Sequence, residues 1–341
     1  MFSGIDFSSP VWLLTYFHVI GTISLVLNSY VLFLVIFKSD KIDNFKYFLL
    51  AFQSSCLMVD VHLTLFMQPQ PLCPIPAGFS TGLLSPYIAC QHLMTAMVTF
   101  MVVQFGTLTH CFFQKFISIN KMEREEFPTW KRVFFVVSFT IIAASVALYY
   151  ELCGNSEEET FRIIIKDYPE YLQEFKNLDN FAIYELNIYW LFMLSTVVFG
   201  FTYCSFIIFY STRRIYEILG KFKSSMSPVT YRKHTVAIMS LIAQLITSVV
   251  GMFPPSLLCV LLIIEFRYAQ DTFSVQVQSK PTHASCHTHA INATVLVITT
   301  PPFRRFTVFW KRTKTTPLVV SMVRGNNNQP GDDNLHRLSV Y

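Results

Sequence analysis

Along most of the chain, apolar side chains follow one another in long stretches, and charged ones are confined to the gaps between them. Seven such stretches recur, at Pro10–Phe37, Tyr47–Met67, Ile88–Phe113, Val133–Leu152, Ile188–Tyr210, Thr235–Ile264 and His283–Phe303. Each is close to the ~20 residues that a helix needs to cross a bilayer. They must be helical, because lipid offers an open backbone no hydrogen-bond partner. The first, third and sixth exceed the minimum, which leaves room for tilt or for extension into water. The seventh is the weakest, since its first half, "HASCHTHA", is polar. The pattern predicts an all-α membrane protein, a bundle of seven transmembrane helices within residues 1–316. Residues 317–341 form a tail whose "RGNNNQPGDDN" has too little apolar surface to fold and reads as disordered.

Composition sharpens this. A chain of 341 residues would suit two soluble domains, but 52% of it is hydrophobic and only 14% charged. Soluble proteins carry about a quarter charged residues. The amino-terminal segment lacks a basic region and a cleavage site, so the first stretch is expected to act as its own membrane-targeting signal.

The basic residues then orient the bundle, because lysine and arginine in short loops are retained in the cytoplasm. Of the 26, 21 fall in the gaps after stretches one, three, five and seven, and 5 fall in the alternate gaps. The N-terminus is therefore expected outside and the C-terminus in the cytoplasm. The same count supports the seventh stretch, without which the last seven basic residues would lie outside. The acidic segment "GNSEEETFRIIIKDYPEYLQEFKNLDN" falls on the outer side, where a solvated loop is expected. Past Pro301 and Pro302, Phe303, Phe306 and Trp310 recur at i, i+3 and i+7 among Arg304, Arg305, Lys311 and Arg312. That spacing suits a short amphipathic helix lying along the inner leaflet, ended by Pro317.

Several stretches resemble a known family. "SSPVWLLTYFHVIGTISLVLNSYVLFLVIFKSDKIDNFKYFLLAFQ" is similar to the first helix and loop of the nematode serpentine chemoreceptors of the Sri and Srh classes. "DVHLTLFMQPQPLCPIPAG" is similar to their second-helix end and outer loop. In the last span those classes carry a His-Gly, a Thr five positions on, and a closing Pro-Tyr-Arg. His289, Thr294 and Pro302-Phe303-Arg304 keep these intervals, with Ala290 and Phe303 as the departures. There is no Asp-Arg-Tyr at the inner end of the third stretch, which reads "THCFFQKF", and no Asn-Pro-x-x-Tyr in the seventh. The resemblance implies a seven-helix G protein-coupled receptor at the plasma membrane, in a sensory cilium. It would bind an external small molecule and act on a cytoplasmic heterotrimeric G protein. It implies no enzyme, no cofactor and no nucleic-acid partner. A transporter would show internal repeats and paired broken helices. An odorant-gated channel would have its N-terminus inside.

Among individual residues, Asp60 is the one carboxylate deep inside a stretch, and such a group faces a polar interior by default. Asn28 is the obvious partner, although counting from the helix ends sets the two about 6 Å apart in depth at 1.5 Å per residue. A bridging water, or a contact with Thr64 or His62, is the alternative. Pro254 and Pro255 interrupt the sixth stretch and mark a hinge. A site open to the outside would draw on Gln91, His92 and Thr95 in the third stretch and Tyr184, Asn187, Tyr189 and Trp190 at the head of the fifth. His283 and His287 in the seventh complete it. His283 and His287 share one helix face and Cys286 with His289 another, but no second cluster completes a zinc set, so no metal is expected. A disulfide from Cys153 to either Cys73 or Cys90 is a candidate on the oxidising side.

Overall fold

The structure is a computed structural model that describes residues 7–8, 11–37, 45–72, 75–123, 127–185, 187–263, 294, 296 and 297, with backbone only at 233 and 250–263. Six expected crossings are present as α1 (Val11–Phe37), α2 (Phe45–Val61), α3 (Cys90–Asn120), α4 (Thr129–Leu152), α7 (Ile188–Lys221) and α8 (Pro228–Ile263). Two shorter helices, α5 (Glu157–Asp167) and α6 (Leu172–Lys176), lie between α4 and α7. Thr294, Leu296 and Val297 of the seventh stretch are helical, and Leu296 is buried against Val31, Leu34 and Val35 of α1 and Leu49 of α2. The rest of that stretch, with His283, His287, His289, Pro302 and Arg304, lies outside the described residues, as does the tail.

Hydroxyls ride on these helices by bonding back one turn. Thr15, Thr22, Thr140, Thr196 and Thr202 all donate to the carbonyl four residues earlier, at 2.7–2.9 Å. That satisfies the side chain without opening the helix to lipid. α3, α7 and α8 run several residues past their apolar stretches at the basic end. Apolar length measures the hydrocarbon crossed, whereas Lys and Arg are good helix formers that prolong the helix into water. The backbone of α8 stays helical through Pro254 and Pro255, where the sequence places a hinge. A proline ring deletes one backbone bond, and a long helix keeps the rest.

The centre of the bundle is α3. Leu108, Cys111 and Phe112 pack against Phe52 and Cys56 of α2, Cys204 and Ile208 of α7, and Leu241 of α8. Towards the basic end, Phe116, Ile117 and Ile119 meet Ile215, Ile218 and Leu219 of α7 and Ile238 of α8.

At the other end the α2 helix widens into a π-helical turn, His62–Met67, and Gln68 closes it in the left-handed region (φ 46). Pro69 and Pro71 cannot continue a helix, so the chain turns into β1 (Pro69–Pro71). The freed carbonyls of Leu65, Phe66 and Met67 accept from the backbone of Leu83, Leu84 and Gly82 at 2.9–3.0 Å. This strap passes so close that a Cβ at Gly82 would collide with the Phe66 carbonyl.

β1 pairs antiparallel with β2 (Ala77–Ser80), which pairs antiparallel with β3 (Phe181–Ile183). The acidic segment is therefore not a solvated loop. Ser156 caps α5 by accepting from the Glu159 backbone at 3.3 Å, and Glu157, Glu158 and Glu159 occupy its first turn, where the helix dipole favours them. Its other face sends Ile163 and Ile164 into a core with Leu72, Ile75, Phe79, Phe175 and Ile183. Phe7 adds an edge-on ring contact to Phe175 at 5.1 Å. Sheet, α5 and α6 form a small cap with its own hydrophobic core.

Asn180 ties this cap to the bundle. It sits in the left-handed region (φ 53), and its Oδ1 accepts from the Cys90 backbone N–H at 2.5 Å, which caps α3. Its Nδ2 donates towards the carbonyls of Ser85 (2.6 Å) and Ile88 (2.8 Å).

Candidate functional site

Three polar constellations stand out against this apolar frame. The first is midway along α1, where it meets α2. Asn28 Nδ2 donates to Asp60 Oδ2 at 2.7 Å, Ser24 Oγ donates to the same oxygen, and Gln53 Nε2 donates to Asn28 Oδ1. All four residues are buried. The predicted pairing of Asp60 with Asn28 is thus direct, without a bridging group. The packing of Phe17 with Leu63 and of Val31, Leu34 and Val35 with Leu49 sets the antiparallel register of α1 on α2. In that register Ser24 is level with Asp60 and Asn28 lies one turn away, so the 6 Å offset read from the sequence is one helical turn that the side chains span. Close approach at this crossing depends on Gly21, where a Cβ would press on the Thr64 side chain. Thr64 and His62 are engaged elsewhere: Thr64 Oγ1 donates to the Asp60 backbone carbonyl at 2.7 Å, and His62 Nε2 lies 2.8 Å from the Leu93 carbonyl. Ser24 and Gln53 were missed, although each is a polar residue in a largely apolar helix, Ser24 four residues from Asn28 and Gln53 seven from Asp60.

The second constellation is at the cap end. Gln91, His92 and Thr95 of α3 converge on the last residues of α4. Gln91 Nε2 donates to the Tyr150 carbonyl at 2.7 Å, Thr95 Oγ1 donates to Glu151 Oε2 at 2.6 Å, and His92 Nδ1 lies 2.5 Å from Glu151 Oε1. Tyr184 and Trp190 join from the far side. The rings of Tyr150, Tyr184 and Trp190 meet edge-on, with centroids 5.7–6.0 Å apart, and the Tyr150 hydroxyl donates to Tyr184 at 3.3 Å. Burial, reinforced by Tyr150, pushes the Tyr184 hydroxyl well above the ordinary tyrosine range, so it stays neutral. Asn187 acts locally. Its Oδ1 accepts from the Trp190 backbone at 3.1 Å and caps α7, which aims the Trp190 ring at the cluster. Tyr189, one position earlier, is exposed and does not join.

Two polar atoms in this cluster, Gln91 Oε1 and Trp190 Nε1, are buried without a hydrogen-bond partner among the described residues. A buried orphan costs about 1–3 kcal/mol until something pairs with it. The cluster thus presents one acceptor, one donor and a carboxylate among aromatic rings. Tyr150 and Glu151, which organise it, were missed. Glu151 was legible as the single charge near the end of an otherwise uncharged stretch.

The candidate disulfide to Cys90 is not formed: Cys90 and Cys153 are both free thiols. Cys90 opens α3 with Sγ directed to the Gly78 carbonyl at 3.9 Å, whereas Cys153 closes α4, its backbone N–H bonded to Tyr149 and Tyr150 carbonyls at 3.1 Å. Burial pushes the Cys153 thiol up to about 11. Cys73 lies outside the described residues.

The third constellation is at the basic end. Glu123, in the turn after α3, lies 3.2 Å from Arg214 and 2.8 Å from Lys221 on the extension of α7, and Glu217 pairs with Arg213 and Arg214 at 3.0 and 2.9 Å. A carboxylate clamped by two cations therefore joins the third and fifth crossings where the sequence shows no Asp-Arg-Tyr.

The structure is similar to squid rhodopsin, with a TM-score of 0.52 and 12% sequence identity over 89% of this chain and 85% of that one. At that identity the likeness speaks for the fold alone. No curated protein matches the sequence. The family model described as serpentine type 7TM GPCR chemoreceptor Sri matches residues 3–307. With that match over nearly the whole chain, and a helical bundle of receptor type beneath it, the protein belongs to the Sri family of serpentine G protein-coupled chemoreceptors.

Proposed function

We propose that this receptor binds its external small molecule at the cap end of the bundle, in the cluster organised by Tyr150 and Glu151. It then signals to a heterotrimeric G protein at the basic end. One observation carries the reading: five residues from α3, the cap and α7 (Gln91, His92, Thr95, Tyr184 and Trp190) converge on two consecutive residues of α4. His283 and His287, expected at the same site from the sequence, lie outside the described residues. The partition of basic residues supports the cap facing outwards and the C-terminus facing the cytoplasm, at the plasma membrane of a sensory cilium. Transmission runs through the Asp60–Asn28 contact between α1 and α2, through α8 bending at Pro254 and Pro255, and through the seventh helix at His289, Pro302 and Arg304. Prolines weaken a helix locally without ending it, which is what a bend on demand requires.

The test is expression in a heterologous cell with a second-messenger reporter and a panel of small odorants. A response that a G protein inhibitor abolishes is expected. Thr95→Val and Glu151→Gln should each shift the half-maximal concentration about 10-fold or more at unchanged surface expression, in line with a lost hydrogen bond to a charged group. A current that persists under the inhibitor would overturn the coupling. Responses unchanged in both variants would overturn the site.

A further inference from the structure

The strap 81–88 runs between two membrane-spanning segments, Phe45–Met67 and Cys90–Glu123. Its outward surface differs from that of the neighbouring acidic segment. Leu83 is 61% exposed and Tyr87 83%, and Pro86 and Ile88 are exposed beside them. No Asp, Glu, Lys or Arg occurs between Asp60 and Lys115. On α5, by contrast, Ile165 is 58% exposed but lies among Arg162, Lys166 and Asp167. Apolar residues that are exposed together, with no charge among them, mark a contact with a protein or a membrane.

The polar groups of the strap are turned inwards and paired there. Thr81 Oγ1 donates to the Gln68 carbonyl at 3.2 Å, and Ser85 Oγ donates to the Ser80 carbonyl at 2.5 Å. The backbone N–H groups of Thr81, Gly82, Leu83 and Leu84 go to carbonyls of the π-helical turn. Those of Ser85, Tyr87 and Ile88 go to the Gly82 and Leu84 carbonyls at 2.9–3.0 Å. Pro86 has no N–H, so every backbone donor from Thr81 to Ile88 is used within the protein. A turn in water can leave donors to the solvent, whereas one against lipid cannot. Continuity then selects the partner. The Leu83 N–H bonds to the carbonyl of Leu65, which is itself exposed on the α2 crossing. The apolar surface of the strap therefore begins where the exposed apolar surface of a crossing ends. A second copy of the chain would have to displace lipid from Leu65 to reach it; the bilayer is already there.

We propose that the strap is an interfacial membrane segment. Leu83 and Ile88 rest at the edge of the acyl layer, and Tyr87 lays its ring beside them with the phenol at headgroup level, where one end of the side chain is apolar and the other wet. The cap end is then covered by lipid on the strap side and by water on the α5 side. Which leaflet this is rests on the orientation proposed above; the contact itself rests only on the crossings.

The full chain in bilayer discs of phosphatidylcholine tests this, with a nitroxide attached in turn to Leu83→Cys, Tyr87→Cys and Ile165→Cys. Wild type labelled in parallel gives the signal of the native thiols, which is subtracted. Collisions with oxygen, which concentrates in lipid, are compared with collisions with a water-soluble nickel chelate. The oxygen-to-chelate ratio at 83 and 87 should exceed that at 165 several-fold. The proposal is overturned if the chelate reaches the strap labels as freely as it reaches 165. Exclusion of both probes from the strap with mutual broadening of the labels would mean a second copy. The same exclusion without broadening would mean that the chain itself covers the strap, and either result overturns the proposal too. Leu83 and Tyr87 are both exposed, so a label displaces little packing, and if one variant fails to fold the other decides. The assay needs neither odorant nor G protein, so the receptor mechanism can fail while this stands, and the reverse.

Discussion

On α1, Phe17, Leu34 and Val35 are buried while Val26, Phe33 and Ile36 face outwards, and nothing in their side-chain chemistry separates the two sets. On α5, a helix of about three turns in the cap, chemistry separates most of the positions: Ile163 and Ile164 go inside and Glu157, Glu158 and Glu159 stay out, with Ile165 the exposed exception. The difference lies in the solvent. Lipid tails are as apolar as leucine, so an aliphatic side chain gains little by leaving them, and helix contact is decided by small and polar residues. Hence Gly21, Ser24, Asn28, Gln53 and Asp60 mark the α1–α2 contact. The cap carries the expectation of water around it, where each buried Phe or Ile contributes about 1.5–3 kcal/mol. In the bundle the rare polar residue carries the information, and in the cap the rare apolar one does.

The contrast can be broken most directly with one substitution in each region. Phe175→Ala, which empties a fully buried position of the cap core, should cost about 3–5 kcal/mol and lower the melting temperature of the purified receptor. Phe199→Ala on the exterior of α7, 63% exposed, should fall within about 0.5 kcal/mol. Equal losses would mean that burial in the cap is not what holds it. Next in size is the joint between the regions. Asn180→Ala removes the α3 cap and the strap contacts and leaves in the left-handed region a residue that tolerates it less well than asparagine, for about 3 kcal/mol in all. Asn180→Gly, which relieves the backbone, should recover about 1 kcal/mol of that, read as slower hydrogen exchange across the strap 81–88.

Smaller is Asp60→Ala, which leaves Ser24 and Asn28 seeking partners. Interhelical hydrogen bonds inside membranes average only about 0.6 kcal/mol, so the loss should be about 1–2 kcal/mol, with Asp60→Asn below it. A loss as large as that of Phe175→Ala would contradict the contrast. The smallest effect concerns Cys153. Its thiol is held up at about 11 against an ordinary value of 9.0, so its contribution to stability is complete below about pH 9 and fades between about 9 and 11. Alkylation of Cys153 by iodoacetamide should accordingly be slow at pH 8 and accelerate above pH 10, followed by peptide mass analysis.

The legible and the illegible residues of the candidate site divide along the same line. Gln91, Thr95, Tyr184 and Trp190 could be singled out as polar or amphipathic groups near the ends of apolar stretches. That Tyr150 and Glu151 gather them was not legible, because which α3 residue faces which turn of α4 depends on a rotation that an apolar helix does not encode. Tyr189 and Trp190 are neighbours in sequence, yet the Asn187 cap turns one outwards and the other in. Pro254 and Pro255 remove two backbone N–H donors, yet the backbone of α8 stays helical through them over its 36 residues.

What the sequence determined alone was the number and length of the crossings and the family, because a bilayer of fixed thickness selects apolar length regardless of how helices pack. It also singled out Asp60 and Asn28, since a charge in hydrocarbon must find a polar partner. Only the tertiary structure decided that the acidic segment is a folded cap, and that Asn180 locks it to α3. It alone gathered Gln91, His92 and Thr95 onto Glu151. Those contacts join residues 56 to 95 positions apart, and a pairing at that range follows from helix rotation and register, which emerge when the whole bundle packs.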